Sequence, residues 1–217
     1  MITHVKTCGL STETTLSAAI DAGATYVGFI FYPPSPRNIS VTQAKMLTQY
    51  VGDRALKVGV FVNPDDQLLS EVLSNVDLDI LQLHGNETPE RTDCIRAKFS
   101  KSIMKAVPVS SQEDIALART YEDIADILLF DAKAPSAMKN ALPGGNGLAF
   151  DWELIAGEKW NVPWMLSGGL DAINVAEAIK ISGAEIVDVS SGLEKTPGKK
   201  DINKIEEFMN AVRSAGK

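Results

Sequence analysis

Short apolar runs alternate with longer stretches whose apolar residues recur every three or four positions, and the alternation continues to the end of the chain. The runs cover residues 5–8, 26–31, 57–62, 80–83, 103–107, 127–130, 164–166 and 186–189. They are nearly continuous in apolar residues, as parallel strands buried on both faces are. The stretches between them predict helices. In the third, Leu68, Leu69, Val72, Leu73 and Val76 form one stripe, and in the last Ile202, Ile205, Phe208, Met209 and Val212 do the same.

Cap residues mark where these helices begin. Ser40-Val41-Thr42-Gln43 and Ser110-Ser111-Gln112-Glu113 fit the capping box. Asn63-Pro64 and Thr88-Pro89 place a cap before a proline at the first helical position. Asp151 caps a helix entering at Trp152, with Phe150 and Ile155 at staple spacing. A faint repeat relates Val27-Gly28-Phe29-Ile30-Phe31 to Val58-Gly59-Val60-Phe61-Val62, at an offset of 31 residues, the length of one strand–helix unit. Eight such units without a break in composition predict an α/β fold, a single (β/α)8 TIM barrel over residues 1–217. The competing doubly wound sheet would carry G-x-G-x-x-G after its first strand, and that fingerprint is absent.

Bulk properties narrow the function. Hydrophobic residues make up 45% of the chain, enough for a sizeable core. The formal net charge of -7, without a basic block beyond Lys195 and Lys199-Lys200, argues against nucleic-acid or anionic-membrane partners. No apolar run approaches membrane-spanning length, and Met1–Lys6 does not read as a leader. A cytoplasmic location is expected, where the two cysteines stay reduced. Two histidines and two cysteines without ligand spacing argue against a structural metal site.

In a barrel, chemistry sits at the C-terminal ends of the strands. Two of those ends are glycine-rich: Ser167-Gly168-Gly169-Leu170 and Asp188-Val189-Ser190-Ser191-Gly192. Such turns direct backbone N–H groups outward together, and two in succession read as a divided cradle for one phosphate. Cys8 ends the first strand, on the same face as Lys6. It is either a thiolate, its pKa lowered by Lys6 and the helix starting near Ser11, or a small residue packed at the mouth. Cys94, inside a helix, is expected to pack. Asp131 follows four apolar residues, a desolvated position that suits a general acid, while a lone loop-opening Asp is the plainer reading. The long loop behind it carries Gly144-Gly145-Asn146-Gly147 and favours binding. Arg37 leaves a proline-stiffened loop as a carboxylate ligand or an ordinary surface residue. His84 ends the fourth strand, and catalytic and structural roles both fit it.

Together these segments resemble the phosphoribosylanthranilate isomerase family over nearly the whole chain. The resemblance rests on Lys6-Thr7-Cys8-Gly9, Ser35-Pro36-Arg37, Leu81-Gln82-Leu83-His84-Gly85, Asp131, Gly144-Gly145-Asn146-Gly147, Ser167-Gly168-Gly169 and Val187-Asp188-Val189-Ser190-Ser191-Gly192, then Glu194 and Pro197-Gly198-Lys199-Lys200-Asp201. It implies an Amadori rearrangement in tryptophan biosynthesis, without metal or organic cofactor. N-(5-phosphoribosyl)anthranilate would become 1-(2-carboxyphenylamino)-1-deoxyribulose 5-phosphate. Asp131 would be the acid and Cys8 the base. Arg37 would hold the anthranilate carboxylate, with His84 among the substrate contacts. Amides at Gly147, Gly168, Gly169, Ser191 and Gly192 would bind the phosphate. The partner implied is this small phosphorylated substrate, with a monomer as the default state. Thr7, Ala132 and Asn146 depart from the usual family residues, and none carries assigned chemistry. A metal-dependent pentose-phosphate epimerase would need more strand-end histidines than His84, and a non-catalytic binding protein should have lost the acid or the base.

Overall fold

The computed structural model describes residues 4–135, 137–138 and 141–215. Met1–Thr3, part of the segment assessed as a leader, and positions 136, 139 and 140 of the glycine loop lie outside the described residues. The chain runs β1 (His4–Cys8), α1 (Glu13–Asp21), β2 (Tyr26–Phe31), α2 (Val41–Val51), β3 (Leu56–Phe61), α3 (Asp66–Asn75), β4 (Ile80–Leu83) and α4 (Pro89–Phe99). It continues through β5 (Ser102–Val109), α5 (Gln112–Ala118), β6 (Ile127–Ala132), β7 (Trp164–Leu166), α6 (Val175–Ser182) and β8 (Ile186–Val189). A small hairpin, β9 (Glu194–Thr196) and β10 (Lys199–Lys200), precedes α7 (Ile202–Ala215).

The first eight strands pair in chain order, all parallel, and close into a barrel. Closure comes from β1 against β8, with Lys6 opposite Asp188. This is the (β/α)8 barrel that the strand pattern predicts. The eight strands match the predicted runs to within two residues at either end.

Two bodies of apolar side chains hold it together. Inside the barrel, Val58, Ile80, Met104, Ala106, Leu129, Met165 and Ile186 form a plug. Outside, a larger core fills the space between strands and helices. The stripe on α3 contributes Leu69 and Val72 to it, both fully buried, at about 1.5–3 kcal/mol each. On α7, Ile205, Phe208, Met209 and Val212 are buried, but Ile202 is exposed at the helix start.

Several cap assignments change. Ser40 and Thr88 do cap α2 and α4, accepting from Gln43 N and Arg91 N. Asn63 does not cap α3. It sits at φ 46, its N–H donates to Glu87 and its side chain accepts from Asn86 N, so the cap passes to Asp65. Ser111 makes no side-chain cap bond. Instead Asp114 accepts from both the N–H and the hydroxyl of Ser110. The helix expected after Asp151 is a single 3₁₀ turn, Trp152–Leu154, although Asp151 does accept from Glu153 N. Cys94 is exposed rather than packed, because Thr92 and Ile95 take the inward positions of α4.

Candidate active site

At the C-terminal mouth of the barrel one pocket is lined by Cys8, Arg37, His84, Asp131, Gly168 and Ser191, among others. Six of the sequence candidates therefore meet in one place.

Cys8 ends β1 and is buried. Lys6, two residues back on the same face, is fully buried, and its Nζ lies 2.8 Å from Asp188 Oδ1 on β8. Ser167 donates to the other Asp188 oxygen at 3.1 Å. Burial pushes the Cys8 thiol up, and the neighbouring Asp188 charge adds to that. Lys6 and Lys200 pull it down but do not prevail. This corrects the expected depression. Lys6 acts on the thiol, but its counter-ion Asp188 opposes it and burial exceeds both. The first helix begins close to where it is expected, with Thr12 as its cap.

Arg37 is not a surface residue. Its guanidinium lies buried against Glu194 of the β9–β10 hairpin, Nε to Oε1 at 2.6 Å and Nη2 to Oε2 at 2.8 Å. Nη2 also donates to the Gly145 carbonyl at 3.3 Å.

Asp131 projects from β6 and is buried. Its Oδ1 accepts from Ala132 N at 2.9 Å, and its Oδ2 lies 3.1 Å from His84 Nε2. The other ring nitrogen of His84 lies 2.7 Å from the Gln82 amide nitrogen. A donating Gln82 leaves the proton of a neutral ring on Nε2, facing Asp131. Gly144 covers this pair so closely that a side chain there would collide with both.

The glycine turns divide between two spaces. Gly168 lines the main pocket, while Gly147, Gly169 and Gly192 line an adjoining recess. Ser191 borders both. The turn after β7 does not lead straight into α6. Asp171 accepts from Ile173 N and Asn174 N, and Asn174 donates back to the Gly169 carbonyl, pinning the turn. Asn146 secures the third contributor with bonds to both backbone groups of Leu142. Among the described residues, no three His, Cys, Asp or Glu side chains gather as a metal site, and no helix is long and apolar enough to cross a membrane.

Four site residues are absent from the sequence candidates: Gln82, Asp188, Glu194 and Lys200. Gln82 and Asp188 carried a signal, since each is a polar residue at the inward phase of an otherwise apolar strand. Glu194 and Lys200 stand among the segments that carry the resemblance, but local pattern gives neither a role, because Arg37, which Glu194 holds, lies 157 positions away.

Fold and site together define a (β/α)8-barrel enzyme that brings a buried thiol and a buried carboxyl group to one pocket. Comparison with known proteins agrees and narrows the class. Residues 5–211 match the family model described as N-(5'-phosphoribosyl)anthranilate isomerase, and the chain belongs to that family. It is 52% identical over 215 residues to the N-(5'-phosphoribosyl)anthranilate isomerase of Parvibaculum lavamentivorans, covering 99% of this chain and 100% of that one. The crystal structure of phosphoribosyl anthranilate isomerase from Thermotoga maritima is similar at 35% identity and a TM-score of 0.86, covering 98% of this chain and 100% of that one. A further isomerase structure, in complex with reduced 1-(o-carboxyphenylamino)-1-deoxyribulose 5-phosphate, is 33% identical with a TM-score of 0.83, again covering 98% and 100%.

Proposed function

We propose that this chain converts N-(5-phosphoribosyl)anthranilate to 1-(2-carboxyphenylamino)-1-deoxyribulose 5-phosphate, with Asp131 as general acid and Cys8 as general base. Asp131 gives its proton to the furanose ring oxygen as the bond from that oxygen to C1′ breaks. The anthranilate nitrogen supplies the electron pair, leaving an iminium at C1′. That iminium acidifies the C2′ hydrogen, which the Cys8 thiolate removes. The electrons move into a C1′–C2′ double bond and neutralise the nitrogen. The resulting enolamine tautomerises to the ketone, gaining a proton at C1′ and losing one from the C2′ hydroxyl.

The carrying observation is that Cys8 and Asp131 line one pocket from strands three apart around the barrel. An acid and a base on different sides of a substrate are what two successive proton transfers need. Arg37 takes the anthranilate carboxylate. The amides of Gly147, Gly168, Gly169, Ser191 and Gly192 take the phosphate, and His84 supports Asp131. The related isomerase complex holds reduced 1-(o-carboxyphenylamino)-1-deoxyribulose 5-phosphate, which carries both a carboxylate and a phosphate and so supports this substrate class.

Turnover is followed as loss of the anthranilate fluorescence of the substrate. The expected result is steady consumption by the purified chain, inhibited competitively by the reduced product analogue. No turnover, or inhibition that substrate does not relieve, would overturn the assignment.

A further inference from the structure

The segment Glu194 to Asp201 has no place in the chemistry above, yet it folds as a hairpin against the carboxylate-binding loop. Arg37 has five N–H donors, and Glu194 takes two of them, Nε and one on Nη2. Both side chains are almost wholly buried. Glu194 is held in turn. Lys200 Nζ lies 2.8 Å from its Oε1 and also donates to the Ser190 carbonyl at 2.9 Å. Lys204 donates to the Glu194 carbonyl at 2.9 Å.

Two glycines fix the approach. The Arg37 stem lies across Gly9, where a Cβ would stand 2.9 Å from Arg37 Cδ. Gly198, at φ +80, abuts the Pro36 carbonyl, where a Cβ would stand 2.4 Å away. The hairpin therefore meets both the backbone before Arg37 and the guanidinium itself. Burial would raise the Glu194 pKa, but Arg37 and Lys200 outweigh it and hold the group ionised.

We propose that Glu194 is the positioning residue for Arg37: it occupies the Nε–Nη2 edge while the Gly145 carbonyl takes the second Nη2 hydrogen, so that Nη1 is the donor offered to the substrate carboxylate. The charges suit this. Arg37, Glu194 and Lys200 sum to one positive charge, which one carboxylate neutralises. A guanidinium free to rotate would present any of its edges, and binding would bear the entropy of choosing one. This inference rests on the reading of Arg37 as the carboxylate ligand.

The test measures kcat and KM for wild type, Glu194→Gln, Arg37→Ala and the double variant, with thermal unfolding to confirm folding. Arg37→Ala should raise KM more than it lowers kcat, since it removes contact with a non-reacting group. Glu194→Gln should raise KM about tenfold, the equivalent of one charge-assisted hydrogen bond, with kcat kept within about threefold. In the Arg37→Ala background the same change should move KM less than about twofold, because nothing is left to position. Should the Gln variant not fold, Glu194→Asp carries the test. It keeps the charge but shortens the reach, so KM should rise with kcat retained. If Glu194→Gln lowered kcat at constant KM, or raised KM equally with Arg37 absent, the positioning role would be wrong. If Arg37→Ala left KM unchanged, the carboxylate reading itself would fall, and this inference with it.

Discussion

The two ends of the barrel interior are built on the same strands and the same strand faces, yet they differ completely in chemistry. On β4 the inward face reads Ile80, Gln82 and then His84 at the strand end. On β6 it reads Leu129, then Asp131, and on β8 Ile186, Asp188 and then Ser190. Each of these three strands crosses from the apolar plug to the polar mouth in a single step of two residues, the side-chain period of a strand. Below the step the buried plug is wholly apolar. Above it the buried charges are paired: Lys6 with Asp188, and both Arg37 and Lys200 with Glu194, which leaves one positive charge over. Stability and catalysis are thus separated along each strand by about 7 Å, two residues of extended chain. A substitution should report on one end or the other.

The largest expected effect lies at the mouth. Asp131→Asn and Cys8→Ser should each lower kcat by roughly 10²-fold or more, the usual loss when a general acid or base is removed. Thermal unfolding should scarcely move. A large loss of stability in either variant would break the separation of the two ends.

At the plug, Leu129→Ala should do the reverse. Removing a fully buried leucine leaves a cavity, at a cost of about 2–5 kcal/mol in chemical denaturation. The kcat of the folded fraction should stay within about twofold of wild type. A kcat loss comparable with that of Asp131→Asn would mean that plug packing sets the site geometry.

The Lys6–Asp188 pair sits on the boundary. The Asp188 charge raises the Cys8 thiol, so Asp188→Asn should let that thiol titrate lower. A base must be deprotonated to act. The rising limb of kcat/KM against pH should therefore move to lower pH, and Cys8 alkylation should accelerate at a fixed mildly alkaline pH. A shift to higher pH would show that Asp188 acts on Cys8 mainly through Lys6.

The smallest effect belongs to a position outside both ends. Ser100 ends α4 in the left-handed region, at φ 51. Ser100→Gly should stabilise by about 0.5 kcal/mol and leave kinetics unchanged, which serves as the reference for both comparisons.

Legibility in the sequence follows the same division. Strand positions are legible because burial on both faces writes continuous apolar runs, and β2, β4, β7 and β8 match their predicted bounds. The candidates Cys8, Arg37, His84 and Asp131 are legible because strand ends form a short roll in a barrel. What pairs with what is not. Asn63 carries every local mark of a cap, and its commitment to Glu87 and Asn86 shows only once β3 and β4 lie side by side. The field at Cys8 depends on Asp188, and the aim of Arg37 on Glu194, 157 positions away. Local pattern holds no trace of such partners, and they decide the electrostatics.

Barrel closure by β1 against β8 has a consequence for the order of assembly. Lys6 and its counter-ion are separated by 182 positions. A chain emerging N-terminus first holds Cys8 and Lys6 from the outset, but cannot complete their surroundings until the last strand has been made. Intermediates with six or seven strands have both sheet edges open and a lysine awaiting its carboxylate. They can hold helices and much of the outer core, but not the site. Activity regained during refolding should therefore trail the return of helical signal, with the closing contact between first and last strands as the late event.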